Sequence, residues 1–180
     1  MIGIVCQHRS GHTAYEQWLA VSTGMSLKKE VDINMKDQSI DQYLKSLPQN
    51  SVVSFMARPN IEKYLDNNKH INWRLLIRKD WYTQCLSFLY TNKTQVFHSN
   101  QSAMVEVDTK LIKYFFEMYE IIDNLKNTKK YPVYYYENIK IPIDPVDYDQ
   151  MRKNNNKYSK MISNIDEVDY KIYEYNHSRL

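Results

Sequence analysis

Short apolar runs alternate along the chain with segments of helical periodicity, and this alternation restricts the fold more than any other feature. The most regular helical pattern repeats at spacings of four and three, at Leu111, Phe115, Met118, Ile122 and Leu125. Strands that alternate with helices are typical of a parallel sheet covered on both faces. The four strand-like runs are residues 2–7, 51–56, 73–78 and 131–136. We therefore expect one α/β domain over residues 1–180, a three-layer α/β/α arrangement around a central parallel sheet of about four to five strands.

Local signals mark where the helices begin and end. Gly24 is placed to stop the first helix, and Ser39 to cap a second helix that ends before Pro48. Asp80 is placed to cap the helix that follows the third strand-like run. Residues 141–145 and 152–160 predict a surface loop, with a helical segment after it.

The three glycines, Gly3, Gly11 and Gly24, all lie in the first 24 residues, so unusual backbone is expected near the start of the chain. Gly11 lies in a loop between the first strand and the first helix. Such a loop brings successive N–H groups to a helix N-terminus and can hold an anion. Arg9, Ser10, His12 and Thr13 can add side-chain donors to this loop, which begins at His8. The spacing of a nucleoside triphosphatase loop is absent.

A second candidate site follows the third strand-like run. The cations Arg78 and Lys79 end this run, and Ser87 comes two turns into the next helix. In parallel α/β sheets ligands bind beyond the carboxyl ends of the strands, where both candidate sites would lie. No glycine is available near the second site, so an anion there has to be held by side chains.

Charge and cysteine usage exclude several classes. A net charge of +3 and a pI of 8.6 are too mild to predict binding of duplex nucleic acid. No apolar run approaches the roughly 18 residues that span a bilayer, and no basic segment precedes the first apolar run as in a signal peptide. Cys6 and Cys85 lie in apolar contexts, which favours buried thiols over a disulfide or a metal pair. We expect a cytoplasmic protein without a bound metal.

Taken together and in this order, the two candidate sites resemble those of sulfotransferases that use 3′-phosphoadenosine 5′-phosphosulfate (PAPS). Residues 9–13 match the family's K/R-S-G-x-T loop, and Lys79 and Ser87 have the eight-residue separation of its second motif. Together with Gln84, this second segment is most similar to the bacterial trehalose-type enzymes. Residues 135–139 resemble the family's late strand ending in Y-E-D-L, and residues 153–167 resemble the tail of some bacterial and viral members.

The resemblance implies a P-loop-like fold and transfer of a sulfuryl group from PAPS to a hydroxyl of a carbohydrate, small alcohol or lipid. It implies that residues 8–13 bind the 5′-phosphosulfate, and that Ser87 with either Arg78 or Lys79 binds the 3′-phosphate. The product would be 3′-phosphoadenosine 5′-phosphate (PAP). The protein would act in the cytoplasm of a bacterium or of the host cell of a phage or virus. Because the chain is shorter than typical members, acceptor-binding insertions would be reduced or supplied by a second subunit, as in a homodimer.

The catalytic candidates are Arg9, His12 and Glu30. Arg9 stands where the family places the cation beside the bond that breaks, and its permanent charge suits electrostatic stabilisation, a role that His12 can share. Glu30 follows Thr23 and Gly24 much as the base does in trehalose-type enzymes. His8, His12 and His98 are rival bases, since an imidazole titrates near neutral pH. A PAP-binding protein without catalysis and a divergent nucleotide kinase are the alternatives; the missing lysine counts against the kinase.

Overall fold

The computed structural model describes residues 1–28, 30, 31, 37–95, 103–139 and 158–177. These residues form an α/β fold with a five-stranded, all-parallel sheet in the order β2-β3-β1-β4-β5. This confirms the predicted fold class and sheet. The strands are β1 (Ile2–Cys6), β2 (Ser26–Leu27), β3 (Ser51–Met56), β4 (Asn72–Ile77) and β5 (Val133–Tyr135).

The helices of the described residues are consistent with a three-layer α/β/α fold. They are α1 (His12–Thr23), α2 (Asp37–Ser46), α3 (Ile61–Asn67), α4 (Trp81–Thr94), α5 (Leu111–Asn127) and α6 (Ile165–His177). The chain divides into two compact units. The first unit is drawn from residues 1–79 and 118–142, and the second from residues 80–117 and 143–180. No helix in the described part of the chain is long and apolar enough to cross a membrane.

The first unit is organised around β1, the middle strand of the sheet. Its five residues are all buried, with Ile2 opposite Val52 on one side and Asn72 on the other. Burial on both faces explains why the strand is apolar throughout instead of alternating. Gly3 lies within β1, as expected. A Cβ at this position would overlap the Trp73 ring, which explains the choice of glycine.

Strand β2 is the element that the sequence did not predict. It has two exposed residues at the sheet edge and no apolar run to announce it. The chain continues along β3 beyond it: the Lys28 N–H donates to the Val52 carbonyl, and the Val31 N–H donates to the Ser54 carbonyl. Val31 is fully buried beside Phe55. This pairing carries the chain to the carboxyl edge of the sheet.

The second unit has its own apolar core, formed by α4, the first half of α5, α6 and the segments before α5 and α6. Asn164 joins the two segments, since its side-chain amide donates to the Val107 carbonyl and accepts from the Val107 N–H, both at 3.0 Å. Asp80 caps α4 as predicted, accepting from the Thr83 N–H at 3.0 Å. The central residues of this core are Cys85, Leu86, Leu89, Phe115 and Val168.

Some helix and strand ends match the sequence predictions, and others differ. Gly24 does end α1, in the left-handed conformation. Ser39 does not cap α2, because the helix already includes Asp37 and Ser39 lies inside it. The predicted strand at 131–136 is shorter, because Tyr136 begins a 3-10 turn. Cys6 and Cys85 are free and buried, as expected. His98, residues 141–145 and residues 152–157 lie outside the described residues.

Candidate functional site

The order of the strands predicts a crevice at the carboxyl ends of β1 and β4, within the first unit. The chain leaves β1 toward β2 and leaves β4 toward β5, on opposite sides of this neighbouring pair. Ligands of parallel α/β sheets bind at such a reversal of direction. Residues 7–11 follow β1, and residues 78 and 79 follow β4. The first loop and both cations of the second candidate site therefore emerge from neighbouring strands.

The loop after β1 has the backbone of an anion cradle. Arg9 and Gly11 have positive φ angles of 62° and 84°, and the Ser10 N–H closes a turn onto the Gln7 carbonyl at 3.2 Å. Gly11 precedes α1 and offers no side-chain cap, and the first turn of α1 has no acidic residue. The partial positive charge at the start of α1 thus has no counter-charge from this turn. The Ser10 hydroxyl is buried and has no hydrogen-bond partner among the described residues.

Gly11 is required here for two separate reasons. Its φ is left-handed, which costs a residue with a Cβ about 1–2 kcal/mol. A Cβ at this position would also lie 2.3 Å from the ring of Tyr136. Tyr136 was not identified as a site residue from the sequence. Its signal was its place at the end of the fourth strand-like run.

Arg78 links the segments that surround the crevice. One terminal nitrogen, Nη1, donates to the Arg9 carbonyl at 3.4 Å, and Nε lies 4.0 Å from Oε1 of Glu137. The guanidinium also lies over the Tyr136 ring, 5.9 Å from its centroid. Glu137 in turn accepts the Lys79 N–H with both carboxylate oxygens, at 2.9 and 3.1 Å. Arg78 is therefore engaged by the protein on several sides.

Lys79 differs from Arg78 although the two are adjacent. Its ammonium group donates to Oδ1 of Asn138 at 3.3 Å and lies 5.1 Å from the centroid of the Tyr135 ring, in an exposed setting. An ammonium group on a flexible stem can leave such weak contacts for an anion at small cost. Of the two cations that the sequence left as alternatives, Lys79 is the more accessible.

The structure brings together two of the predicted catalytic residues, His12 and Glu30. Nε2 of His12 lies 3.0 Å from Oε2 of Glu30, and the two side chains are 13% and 39% exposed. Val31, paired with Phe55, fixes the neighbouring backbone at the carboxyl edge of the sheet. The distance in sequence between residues 12 and 30 gave no indication of this contact. His8 is half-buried in the same loop that carries Arg9.

A buried carboxyl group, Glu16, was missed from the sequence. It lies on α1 one turn after His12, and the residue is 6% exposed. Burial raises the pKa of Glu16; the Ser54 hydroxyl and His12 lower it in part, and the charge of Glu30 raises it further. Burial, with Glu16 and Glu30 adding to it, also raises the pKa of the Cys6 thiol well above its ordinary value. The four-residue spacing between His12 and Glu16 was the available signal.

The remaining predicted site residues have simpler surroundings. Thr13 is exposed in the first turn of α1. Ser87 lies on α4 in the second unit, and its side chain is buried. In the described ranges, no group of three or more His, Cys, Asp and Glu side chains is arranged to hold a metal ion. Comparison of the sequence with protein-family models and with curated proteins finds no match, so the ligand has to be inferred from the geometry of the crevice itself.

Proposed function

We propose that this chain is a sulfotransferase that moves a sulfuryl group from PAPS to a hydroxyl of a carbohydrate, small alcohol or lipid. The observation that supports this most is the uncapped start of α1, reached through the left-handed residues Arg9 and Gly11 at the β1/β4 crevice. The proposal includes the P-loop-like fold that the sequence resemblance implies. A five-stranded parallel sheet with this loop after β1 is compatible with that fold.

The first loop suits a phosphosulfate group. Backbone N–H groups at a helix start, a buried hydroxyl on Ser10 and the guanidinium of Arg9 are all donors, and this loop adds no carboxylate to repel an anion. The guanidinium of Arg9 can compensate charge that develops on the departing phosphate. His12 follows directly; its Nε2 faces Glu30 and its Nδ1 is buried, so its contribution to this loop is its backbone N–H at the start of α1.

For the 3′-phosphate, we infer that Lys79 is the ligand and Arg78 the support. Arg78 already contacts the Arg9 carbonyl, Glu137 and Tyr136. Recruiting Arg78 for a phosphate would loosen the first loop, whereas Lys79 would give up its contacts to Asn138 and to the Tyr135 ring. Ser87 lies in the second unit, so its role as a phosphate ligand stays a prediction of the sequence resemblance alone.

The transfer needs a base for the acceptor hydroxyl. As the acceptor oxygen forms its bond to sulfur, the bond between sulfur and the phosphate oxygen breaks, PAP leaves, and the hydroxyl proton passes to a protein group. Glu30 can take that proton, since its carboxylate is partly exposed at the carboxyl edge of the sheet. His12, 3.0 Å away, can orient Glu30 and stabilise its charge.

Ligand-induced thermal stabilisation tests the nucleotide site. We expect PAP to raise the melting temperature far more than AMP, because a ligand at 100 times its Kd adds about 2.7 kcal/mol. Lys79→Met should remove the difference between PAP and AMP. Lys69→Met, an exposed lysine that precedes β4 at the opposite sheet edge, is the matched control and should retain it. An equal response of the unaltered protein to PAP and AMP contradicts the 3′-phosphate site.

Transfer itself is tested with radiolabelled PAPS and a panel of sugars, glycolipids and small alcohols. Glu30→Gln should abolish transfer while leaving the thermal response to PAP intact, because the amide cannot accept the proton. If Glu30→Gln turns over at the normal rate, the base is a histidine. A chain that binds PAP but labels no acceptor in any fraction of its host would be a PAP-binding protein without catalysis.

A further inference from the structure

Glu137, in the short 3-10 turn after β5, contacts both residues that follow β4. Its two carboxylate oxygens accept the same backbone N–H, that of Lys79, at 2.9 and 3.1 Å. Oε1 also lies 4.0 Å from Nε of Arg78. Because Glu137 holds Lys79 by its backbone, the ammonium group remains on a flexible stem and can reach a ligand.

Arg78 extends this contact to the loop after β1. Its side chain is 15% exposed, and Nη1 donates to the Arg9 carbonyl at 3.4 Å. Arg9 has a φ of 62°, a left-handed conformation that residues with a Cβ adopt infrequently. Such backbone persists where its surroundings hold it in place. The guanidinium of Arg78 is one of the groups that do so, and Glu137 is the acid beside that guanidinium.

The turn after β5 reaches the same loop a second time, through Tyr136. A Cβ on Gly11 would overlap the Tyr136 ring, and the guanidinium of Arg78 lies 5.9 Å from the centroid of that ring. Tyr136 is buried, so packing fixes its position. Residues 136 and 137 therefore contact both segments that carry the candidate site, the loop after β1 and the residues after β4.

We propose that Glu137 is a positioning residue that joins the two phosphate subsites of the proposed function, on which this inference rests. It holds the backbone that carries Lys79, the ligand inferred for the 3′-phosphate. Through Arg78 it also holds the left-handed loop at Arg9, where the 5′-phosphate would bind. A carboxylate in contact with a phosphate would repel it, so Glu137 acts through its neighbours and not on the nucleotide. Its removal should weaken both subsites, whereas removal of the Lys79 ammonium group should weaken one.

Two nucleotides with one phosphate each separate the subsites. AMP carries only the 5′-phosphate and 3′-AMP only the 3′-phosphate, and isothermal titration calorimetry of the full chain measures both Kd values. Glu137→Ala should raise both Kd values about three- to tenfold, the size of an exposed charge-assisted contact. Lys79→Met should raise the Kd of 3′-AMP alone. Glu62→Ala, which removes an exposed glutamate on α3 of the same unit, is the matched control and should change neither.

Glu137→Gln separates the two contacts of this carboxylate. The amide oxygen can still accept the Lys79 N–H, whereas the amide NH2 group cannot pair with the guanidinium of Arg78. The Kd of 3′-AMP should therefore stay near that of the unaltered protein, and the Kd of AMP should rise as it does in Glu137→Ala. A residue needed only for stability would give no such split between the two nucleotides.

The proposal is overturned if Glu137→Ala leaves either Kd unchanged, or if it tightens both, as loss of a merely repulsive charge would. Melting temperatures check that each variant folds, and the Kd of AMP in Glu137→Gln decides if Glu137→Ala does not fold. If the unaltered protein binds neither nucleotide, the proposed function fails, and the amide NMR spectrum of the unliganded chain decides the positioning role. There Glu137→Gln should shift the amide signals of Ser10 and Gly11, and Glu62→Ala should not. Unchanged Ser10 and Gly11 signals overturn the proposal in either case.

Discussion

Helices α1 and α4 both start within a few residues of a parallel strand, yet their first turns are built in opposite ways. The start of α4 is completed by the chain itself, since the Asp80 carboxylate accepts the Thr83 N–H. The start of α1 is preceded by Gly11, with no side-chain cap and no acidic residue in the first turn. A cap contributes typically about 1 kcal/mol. Its absence in α1 leaves donors and partial positive charge for an anionic ligand.

The buried faces of the two helices also differ, in whether their polar side chains can carry a charge. In α4 the buried polar side chains are neutral: Thr83, Gln84, Ser87 and Thr91. In α1 the buried polar side chain is Glu16, an acid that costs free energy to ionise there. The buried polar side chains of α4 therefore carry no acid, whereas α1 buries one, a feature that stability alone does not explain.

The most damaging change should be Gly11→Ala in the loop before α1. The left-handed backbone costs about 1–2 kcal/mol, and overlap of the new Cβ with Tyr136 adds roughly 1–3 kcal/mol. Gly24→Ala is the matched control, because Gly24 has φ 64° and nothing within 4 Å of its Cβ position, so only the backbone cost applies. Urea denaturation measures both variants. Equal losses would show that Tyr136 does not restrict the first loop.

If the chain is the proposed sulfotransferase, Arg9→Ala should leave the fold intact and lower kcat sharply. Loss of one preorganised charge at the leaving phosphate costs about 100- to 1000-fold in kcat, or roughly 2.7–4 kcal/mol. Arg9→Lys retains the charge and should recover part of the rate. The assay is turnover of radiolabelled PAPS, with the melting temperature as a check on folding. If Arg9→Ala turns over normally, the open start of α1 binds its ligand without helping the reaction.

Much of this contrast could be predicted from the sequence, and the rest could not for physical reasons. Residues 51–56 and the repeat from Leu111 to Leu125 carry periodicity, and Gly24 and Asp80 are local signals, so these elements were predicted correctly. Strand β2 could not be predicted, because its two exposed residues show no hydrophobic periodicity and only backbone pairing with β3 defines it. The contact of His12 with Glu30, and of Gly11 with Tyr136, depends on how distant segments meet. Such contacts leave no spacing to detect.

Asp80→Ala should convert α4 into a helix with an uncapped start. We expect a loss of about 1 kcal/mol in the free energy of unfolding, because the Thr83 N–H loses its acceptor. Asp80→Asn keeps a side-chain acceptor and should recover most of that loss. Urea denaturation is the measurement. A loss well above 2 kcal/mol would mean that Asp80 does more than cap the helix, and the contrast between the two helix starts would need revision.

The smallest effect, and the one that tests the buried faces, is a dependence of stability on pH. Because burial raises the pKa of Glu16, the folded state binds its proton more tightly than the unfolded chain does. The stability that this proton contributes is complete below the ordinary glutamate pKa of about 4.3 and is lost as pH rises through the raised value. Relative to Glu16→Gln, the unaltered protein should therefore lose stability as the pH rises from about 4 through the raised pKa of Glu16. Gln84→Met, on the buried face of α4, removes a neutral group, so its effect on stability should be the same at every pH. Urea denaturation at a series of pH values measures both variants. If the difference in stability between the unaltered protein and Glu16→Gln stays constant with pH, Glu16 titrates alike in the folded and the unfolded chain. That result would remove the contrast between the two helices.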